Sequence, residues 1–421
     1  MTASIRFISA GAGSGKTTTL AKLLHEELVS GRVRPTGVLA TTFTNRAATE
    51  LRERARGYLI EQRAFALATA IGSARIGTVN GVCGQLLERF AFEAGLSTEQ
   101  RVLDEPSAAL LLRRSLGTAV ERDALRGLLE TASRLSLRDG VQPGEEPPWR
   151  SALKTLVNLA RCNGLSAGTL RECGPRNADR LLALFPGPSA NDLDVTLIEA
   201  IRTALPALEK AAQTTAKKNT SEYLKQVRQV LDGLGSGRLA WADWSRLANA
   251  KPEAGLLPVT VPIATASSAV AHHPRLHEDV RQYLIQIFDV AASTLDSYDE
   301  SKRRLGGLDF ADQERLLLDV LDHPEVQESL TDELDLLLVD EFQDTSPMQL
   351  ALFVKLARFA KQVVWVGDIK QAIYGFRGSD TRLMKSVIGA LPSMGGVQET
   401  LGDSWRSRPC THTRAHFFFF A

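Results

Sequence analysis

The sequence predicts an α/β fold in which a parallel β-sheet is flanked by helices and is interrupted by a mainly helical inserted domain. Three observations support this prediction. Short apolar runs alternate with helical segments near the start of the chain, and similar runs return after about residue 335. Between residues 105 and 292 the sequence has amphipathic helical stretches and loops but no convincing buried strand.

The first part of the chain has a β-loop-α-β-α pattern. Residues 5–8 form a short apolar run that enters a glycine-rich turn, and residues 17–28 then carry leucines at helical spacing. A second strand is predicted over 38–42 and a polar, charged helix over 45–58. Because each strand is followed by a helix, successive strands are expected to run parallel.

Two further strands are predicted late in the chain, over 335–339 and 363–366. Both runs are apolar, and both lead into acidic residues, Asp340 and Glu341 after the first and Asp368 after the second. These strands are expected to complete the sheet that the helical insertion interrupts.

Composition is typical of a soluble globular protein. The chain has 421 residues, of which 44% are hydrophobic and 24% charged, and its formal net charge is +1. Any surface that binds nucleic acid must therefore be local. The four cysteines include no C-x-x-C pair and are expected to be reduced thiols of a cytoplasmic protein. Residues 1–7 do not resemble a signal peptide, and no apolar run approaches the ~20 residues of a membrane span, so no membrane association is expected.

A glycine-rich loop with a lysine and a threonine joins the first predicted strand to the first predicted helix. Small residues let consecutive backbone N–H groups close on phosphate oxygens, and the helix N-terminus adds partial positive charge. The pattern predicts binding of a nucleoside triphosphate, ATP, and its strand-loop-helix context disfavours an ordinary glycine-rich turn. The predicted nucleotide-binding residues of this loop are Ser9, Ala10, Gly11, Ala12, Gly13, Ser14, Gly15, Lys16, Thr17 and Thr18.

Four residues are the predicted centre of the chemistry. Lys16 is expected to reach the β- and γ-phosphates, and the Thr17 hydroxyl is expected to hold Mg²⁺. Asp340 is expected to hold Mg²⁺ directly or through water, and Glu341 is the candidate general base, since ligands gather at the carboxyl edge of a parallel sheet. An Asp-Glu pair after a buried strand is often structural, but beside a phosphate loop the catalytic interpretation is favoured.

Several segments, in order along the chain, resemble those of superfamily 1 DNA helicases of the UvrD/Rep/RecB-AddA type. Segment 339–346 (VDEFQDTS) is similar to the family's DEFQDTS, and segment 366–378 (VGDIKQAIYGFRG) to its GDxxQSIYxFRGA. Segments 39–48 (LATTFTNRAA), 308–312 (LDFAD) and 401–409 (LGDSWRSRP) resemble TFTNKAA, DFDDL and NYRS, respectively.

The resemblance implies an ATP-dependent DNA helicase or translocase of 3′-to-5′ polarity that acts on single-stranded DNA in repair or recombination. It also implies a RecA-like P-loop NTPase domain with a helical insertion of the type called 1B. The expected divisions are 1–104 for the first part of the RecA-like domain, 105–290 for the insertion, 291–409 for the second part and the start of the 2A region, and 410–421 for an atypical tail. A nuclease or a second helicase subunit is the expected protein partner.

The resemblance assigns roles near the nucleotide to three further residues. Gln371 occupies the position of the family's γ-phosphate sensor. Arg406 occupies that of an arginine that stabilises the transferring phosphoryl group. Trp405 replaces the family's usual tyrosine, and stacking on adenine and packing in a core remain equal alternatives for it.

Candidate DNA-binding residues follow from the same segments and from 76–83, which resembles the family's DNA-contacting TxHSFC. Aromatic faces accept any base, so the two phenylalanines of the set are expected to stack on bases, with ordinary packing as the alternative. For Arg46 a phosphate contact and a solvated helix surface are both open. The predicted DNA-binding residues are Phe43, Asn45, Arg46, Thr78, Asn80 (in place of the family's histidine), Tyr374, Phe376 and Arg377.

Residues 210–229 are predicted to form one helix with a cluster of basic side chains. Lys217, Lys218 and Lys225 are placed to track a phosphate backbone. A solvated basic helix surface is the more common explanation of such a cluster.

Two features depart from the family. Only nine residues precede Ala10, so the upstream glutamine that reads adenine in the family has no place. The loop therefore predicts triphosphate binding more directly than it predicts selection of the base. The motifs of a second RecA-like domain do not follow Arg406, and residues 410–421 match no expected continuation. We therefore expect this chain alone to bind Mg-nucleotide weakly, to hydrolyse it slowly and not to unwind DNA. The alternative function is a truncated, nucleotide-gated module that binds DNA or a partner without unwinding.

Overall fold

The computed structural model places most of the chain in two compact units. The residues that the structure describes are 4–11, 15–97, 101–119, 121–140, 142, 144–215, 218–250, 252–368 and 381–401. The first unit lies within 1–108, 161–164 and 302–421, and the second within 109–160 and 165–301.

The first unit is built on a six-stranded sheet whose strands all run parallel to their neighbours. The strands of the chain are β1 (Ser4–Ala10), β2 (Val38–Thr42), β3 (Arg75–Thr78), β4 (Arg101–Val102), β5 (Gly307–Leu308), β6 (Leu336–Val339), β7 (Gln362–Gly367) and β8 (Val397–Leu401). The order across the large sheet is β3-β2-β6-β7-β1-β8, and β4 pairs with β5 separately. The predicted α/β class with a parallel sheet is confirmed.

Helices make up most of the remaining regular structure. They are α1 (Lys16–Val29), α2 (Asn45–Glu61), α3 (Phe65–Ala70), α4 (Val79–Arg89), α5 (Glu105–Ala119), α6 (Arg122–Arg134), α7 (Pro148–Cys162), α8 (Ala167–Leu182), α9 (Leu193–Thr215), α10 (Lys218–Ser236), α11 (Trp241–Asn249), α12 (Leu257–Ser268), α13 (Pro274–Leu305), α14 (Phe310–Val320), α15 (Pro324–Glu333), α16 (Pro347–Leu356) and α17 (Thr381–Ala390). In the first unit, α1 to α3 cover one face of the sheet, and α4 and α14 to α17 cover the other.

The four central strands of the large sheet are buried on both faces. In β1, Ile5 and Phe7 pack into one hydrophobic cluster, while Ile8 and Ala10 pack into the cluster on the opposite face. Strands covered on both faces need nearly continuous apolar runs, and this is the signal by which the sequence predicted them. Helices on both faces give the unit three layers.

The two edge strands, β3 and β8, were not predicted. In β3 only Ile76 is buried, and in β8 no residue is. An edge strand has a neighbour on one side only, so it forms without the apolar run that marks a central strand.

The second unit contains helices and no strand among its described residues. One hydrophobic cluster joins α6, α7, α8 and α13, and another joins α9 to α12. Helix α13 continues to Leu305, past residue 290 where the insertion was expected to end.

The prediction of one helix over 210–229 is wrong. Helix α9 ends at Thr215 and α10 begins at Lys218. Arg228 Nη2 donates a hydrogen bond to Glu209 Oε1 at 2.6 Å, although 19 residues separate the two. One straight helix would hold positions so far apart in sequence about 28 Å from each other. The two helices therefore fold back on one another.

One segment of the second unit, Ala254–His272, is long and apolar enough by length and composition to span a membrane. It has 19 residues, and none of them is Asp, Glu, Lys or Arg. The expectation that no apolar run approaches this length is therefore wrong. Small residues, hydroxyl residues and Pro262 interrupt the large apolar side chains of this stretch, and for this reason it was overlooked although it carries no charge. Ile263 of this segment is fully buried in the cluster of α9 to α12. Only 17% of the segment's apolar window is buried, so most of the segment is not part of that core.

Candidate functional site

Several strands of the large sheet end at one edge and are followed there by the predicted site residues. Gly11 follows β1, Asp340 follows β6, and Asp368 follows β7. The register places Val339, the last residue of β6, opposite Thr41 of β2 and Trp365 of β7. These loops therefore meet at the carboxyl edge, where open parallel sheets bind their ligands.

The turn between β1 and α1 is shaped by glycine. Gly15 has φ +79°, in the left-handed region, and α1 begins directly after it at Lys16. The first turn of α1 carries no acidic residue, so the partial positive charge at its N-terminus is available to an anion. Ser9 is half-buried and Ala10 fully buried at the end of β1.

Lys16 and Glu341 form an ion pair across the site, although 325 residues separate them. Lys16 Nζ donates to Glu341 Oε2 at 2.9 Å, and the lysine side chain is only 12% exposed. Glu341 has φ +52°, in the left-handed region that is uncommon for a residue other than glycine. The structure thus brings together the predicted phosphate-binding lysine and the predicted general base.

Asp340 lies between β6 and Glu341, and both its backbone and its side chain form hydrogen bonds. Its N–H donates to the Thr41 carbonyl at 2.9 Å, and its Oδ1 accepts from the Glu341 N–H at 2.9 Å. Burial raises the pKa of Asp340 to about 6, and the Glu341 carboxylate adds to this effect. An ionised carboxylate in such surroundings gains from a nearby cation.

These residues fit a nucleoside triphosphate with a divalent cation. A half-buried lysine begins a helix without acidic residues in its first turn, and a carboxylate with a raised pKa lies beside it. Within the described ranges no group of three or more His, Cys, Asp or Glu side chains could hold a metal ion alone. Thr17 and Asp340 are predicted site residues that could give oxygen ligands to a cation bound here together with the phosphates, and Mg²⁺ takes ligands of this kind.

Thr18 is linked to the helix that follows β2. Arg54 Nη1 donates to Thr18 Oγ1 at 2.6 Å, and Arg54 also pairs with Glu50 on α2. This contact ties α1 to α2 beside the phosphate loop. Thr17, in the first turn of α1, is half-buried.

Gln343 was not predicted as a site residue, yet it connects acidic residues that follow β6 with Asp368, which follows β7. Its Nε2 donates to Glu341 Oε2 at 2.7 Å and to Asp344 Oδ2 at 3.1 Å. Its Oε1 accepts from the Asp368 N–H at 2.9 Å. The only available signal was its position inside segment 339–346, and that signal assigns no contact.

The predicted DNA-binding residues of the first half of the unit lie at the same sheet edge, after β2 and β3. Thr42 and Thr78 are opposite one another in these paired strands. After β2, Phe43 is half-buried, while Asn45 and Arg46 are exposed at the start of α2.

Thr78 is the last residue of β3 and the N-cap of α4, and Asn80 lies in the first turn of α4. Thr78 Oγ1 accepts from the Gly81 N–H at 3.1 Å and so caps the helix. Asn80 Oδ1 is buried and has no hydrogen-bond partner within the described part of the chain. Such an oxygen is able to accept a hydrogen bond from a ligand.

Other predicted site residues lie outside the described residues, and their roles stay predictions. Of the lysines in the second unit, Lys225 is exposed. The predicted residues outside the described ranges are Ala12, Gly13, Ser14, Lys217, Gln371, Tyr374, Phe376, Arg377, Trp405 and Arg406.

The family and the relatives that match this chain are described as helicases or helicase subunits. The profile of the UvrD/REP helicase N-terminal domain matches residues 2–391. An ATP-dependent helicase/nuclease subunit of Lactobacillus acidophilus is 24% identical over 98% of this chain and 38% of its own length. A protein of the same description from Streptococcus pneumoniae (strain D39), and the exonuclease/helicase subunit RexA of Streptococcus pneumoniae serotype 4, are each 24% identical over 89% of this chain and 34% of their own length. The chain spans about a third of the length of these relatives.

Proposed function

Because the chain belongs to the family of UvrD/REP helicase N-terminal domains, we propose that it binds and hydrolyses ATP and works as part of an ATP-dependent DNA helicase. The observation that carries the proposal is the 2.9 Å contact between Lys16 Nζ and Glu341 Oε2. It joins the phosphate loop to the strand-end acid at the edge where such sheets bind ligands. Hydrolysis needs both groups, since one neutralises phosphate charge and the other activates water.

The proposed chemistry divides among the site residues. Backbone N–H groups of the loop and Lys16 hold the phosphates, and Mg²⁺, held by Thr17 and Asp340, neutralises charge on them. In the structure Lys16 is paired with Glu341. Phosphate oxygens compete with Glu341 for Lys16, so binding of the triphosphate releases the carboxylate to accept a proton from the attacking water.

The proposed substrate of the motor is single-stranded DNA, with 3′-to-5′ movement. The residues that follow β2 and β3 support a DNA surface at the sheet edge. Phe43 offers an aromatic face, Arg46 an exposed cation, and Asn80 a buried acceptor that has no described partner. Because relatives are described as helicase/nuclease subunits, we also propose that the protein partner is a nuclease or a second helicase subunit.

The test is the ATPase rate of the 421-residue chain with and without single-stranded DNA. Lys16→Ala should abolish nucleotide binding, and Glu341→Gln should keep binding while lowering kcat by roughly 10²–10⁴-fold, the range for loss of a general base. Lys22→Ala, on the exposed side of α1, and Glu328→Gln, on the surface of α15, are the matched controls and should leave both quantities unchanged.

Three outcomes separate the possibilities. Stimulation of hydrolysis by single-stranded DNA supports the motor. Nucleotide binding without such stimulation supports a nucleotide-gated binding module in its place. If Lys16→Ala hydrolyses ATP as the wild type does, the assignment of the site is wrong.

A further inference from the structure

We propose that Gln343 is a positioning residue that fixes the Glu341 carboxylate relative to the end of β7. The inference rests on the proposed function, because Glu341 is the general base of that proposal. Gln343 does not touch the phosphate loop in any described contact, and it acts through Glu341. Its role is to keep the carboxylate in place when Lys16 turns to the phosphates.

The Gln343 side chain uses both ends of its amide in a buried position. Gln343 is only 4% exposed. Its Nε2 bonds to carboxylate oxygens of Glu341 (2.7 Å) and Asp344 (3.1 Å). Its Oε1 bonds to the Asp368 N–H (2.9 Å). Buried polar groups that are satisfied in this way hold one conformation.

The orientation of the amide follows from the chemistry of its partners. The Asp368 backbone N–H can only donate, so it must meet the amide oxygen. Ionised carboxylates can only accept, so Glu341 and Asp344 must meet the amide NH₂ group. A glutamate at position 343 would place a third carboxylate against these two, and an asparagine is one methylene too short to reach both sides. The site therefore requires glutamine.

The backbone of β7 closes on Gln343 from the other side. A Cβ at Gly367 would lie 2.6 Å from Gln343 Oε1 and 3.2 Å from Gln343 N. Only glycine allows this approach. Next to it, the Phe342 ring stacks on Trp365 of β7 with centroids 4.5 Å apart. The turn that carries Glu341 is thus held against β7 by a hydrogen bond, a glycine contact and a ring stack.

The hydrogen bond from Gln343 to Glu341 becomes important when nucleotide binds. Glu341 Oε2 accepts from both Lys16 and Gln343. Once phosphate oxygens take the lysine, Gln343 is the remaining described donor to this carboxylate. A base that is misplaced by about 1 Å can lose about 10²-fold in rate, so loss of the glutamine should act on kcat more than on nucleotide affinity.

The experiment replaces Gln343 with methionine, which keeps side-chain length and burial but removes donor and acceptor. Gln343→Met should lower kcat for ATP about 10- to 100-fold and change the nucleotide Kd less than about threefold. Independently of activity, hydrogen exchange of the Asp368 amide in the nucleotide-free chain should become about 10-fold faster, since its acceptor is lost. Gln313→Met on α14, at a glutamine of similar burial (3% exposed), is the control and should change none of the three.

Each outcome decides the proposal. A kcat within about twofold of wild type, an unchanged exchange rate at Asp368, or a loss of Kd as large as the loss of kcat overturns it. If Gln343→Met does not fold, Gly367→Ala tests the same contact, since its methyl group displaces Gln343 and should reproduce the loss of kcat with binding retained. A wild-type chain without ATPase activity would refute the proposed function and not the Gln343–Asp368 bond, which the exchange measurement tests by itself.

Discussion

Replacing Asp335 with asparagine should destabilise the first unit and leave the nucleotide site in place. Asp335 precedes β6 at the amino edge of the sheet, and its side chain is only 1% exposed. The carboxylate accepts hydrogen bonds from the Arg34 side chain (2.7 and 2.9 Å), from the Arg34 N–H (2.9 Å) and from Lys361 Nζ (2.7 Å). A single carboxylate therefore ties together the segments that precede β2, β6 and β7.

The size of the effect follows from the pKa of Asp335. Burial by itself would raise this pKa, but the hydrogen bonds from Arg34 and Lys361 outweigh burial and lower it from 3.8 to about 2. The difference corresponds to about 2 kcal/mol of unfolding free energy at neutral pH. Since the Arg34 and Lys361 side chains are 53% and 56% exposed, they regain hydration in the variant, and the loss should stay near this figure.

The sign of the pH dependence is fixed by the lowered pKa. The stabilisation is fully present above the ordinary pKa of 3.8 and is lost as the pH falls towards about 2. In Asp335→Asn the free energy of unfolding should lack this pH-dependent contribution.

Urea titrations followed by hydrogen exchange of peptides from β6 and β7 report on the first unit separately from the second. Asp332→Asn, at an exposed carboxylate nearby, is the control. A variant Asp335→Asn within about 0.5 kcal/mol of the wild type, or one with unchanged acid dependence, would refute the reasoning.

Two further predictions concern the same sheet. Gly37→Ala should destabilise the first unit, because the added Cβ would clash with Asp335 Oδ2 and would lie 2.8 Å from the Glu333 carbonyl oxygen. Gly57→Ala in α2 meets nothing within 4 Å and should stabilise the unit by about 1 kcal/mol. Urea titration of the two variants measures both effects. The raised pKa of Asp340, about 6, means that its ionisation lowers stability as the pH rises from about 4 to 6. Asp340→Asn should therefore be more stable than the wild type at pH 8 and equal to it near pH 4, as thermal denaturation at the two pH values would show.

The central strands could be predicted from the sequence because burial on both faces demands an apolar run of the right length. The predicted strands over 38–42 and 363–366 correspond to β2 and β7 for this reason. The edge strand β8 carries Gln398 and Glu399 and has no buried residue, so no periodic signal marks it. The break between α9 and α10 was missed because helical spacing continues on either side of it.

Only part of the candidate site could be predicted from the sequence. A phosphate loop and an Asp-Glu pair are local patterns, so Lys16 and Glu341 could be named without knowing the distance between them. The contacts of Gln343 could not be named, because they depend on which strand lies beside β6. That strand is β7, and neither chain order nor composition determines this neighbour.

The sequence by itself determined the fold class, the family and the chemical groups of the nucleotide site, since these depend on local spacing and residue type. Only the tertiary structure decided that β7 lies between β6 and β1, and hence that Lys16 after β1 meets Glu341 after β6 and that Gln343 meets Asp368 after β7. Hydrogen bonds form over about 3 Å, and residues hundreds of positions apart reach that distance only when the register of neighbouring strands places them there.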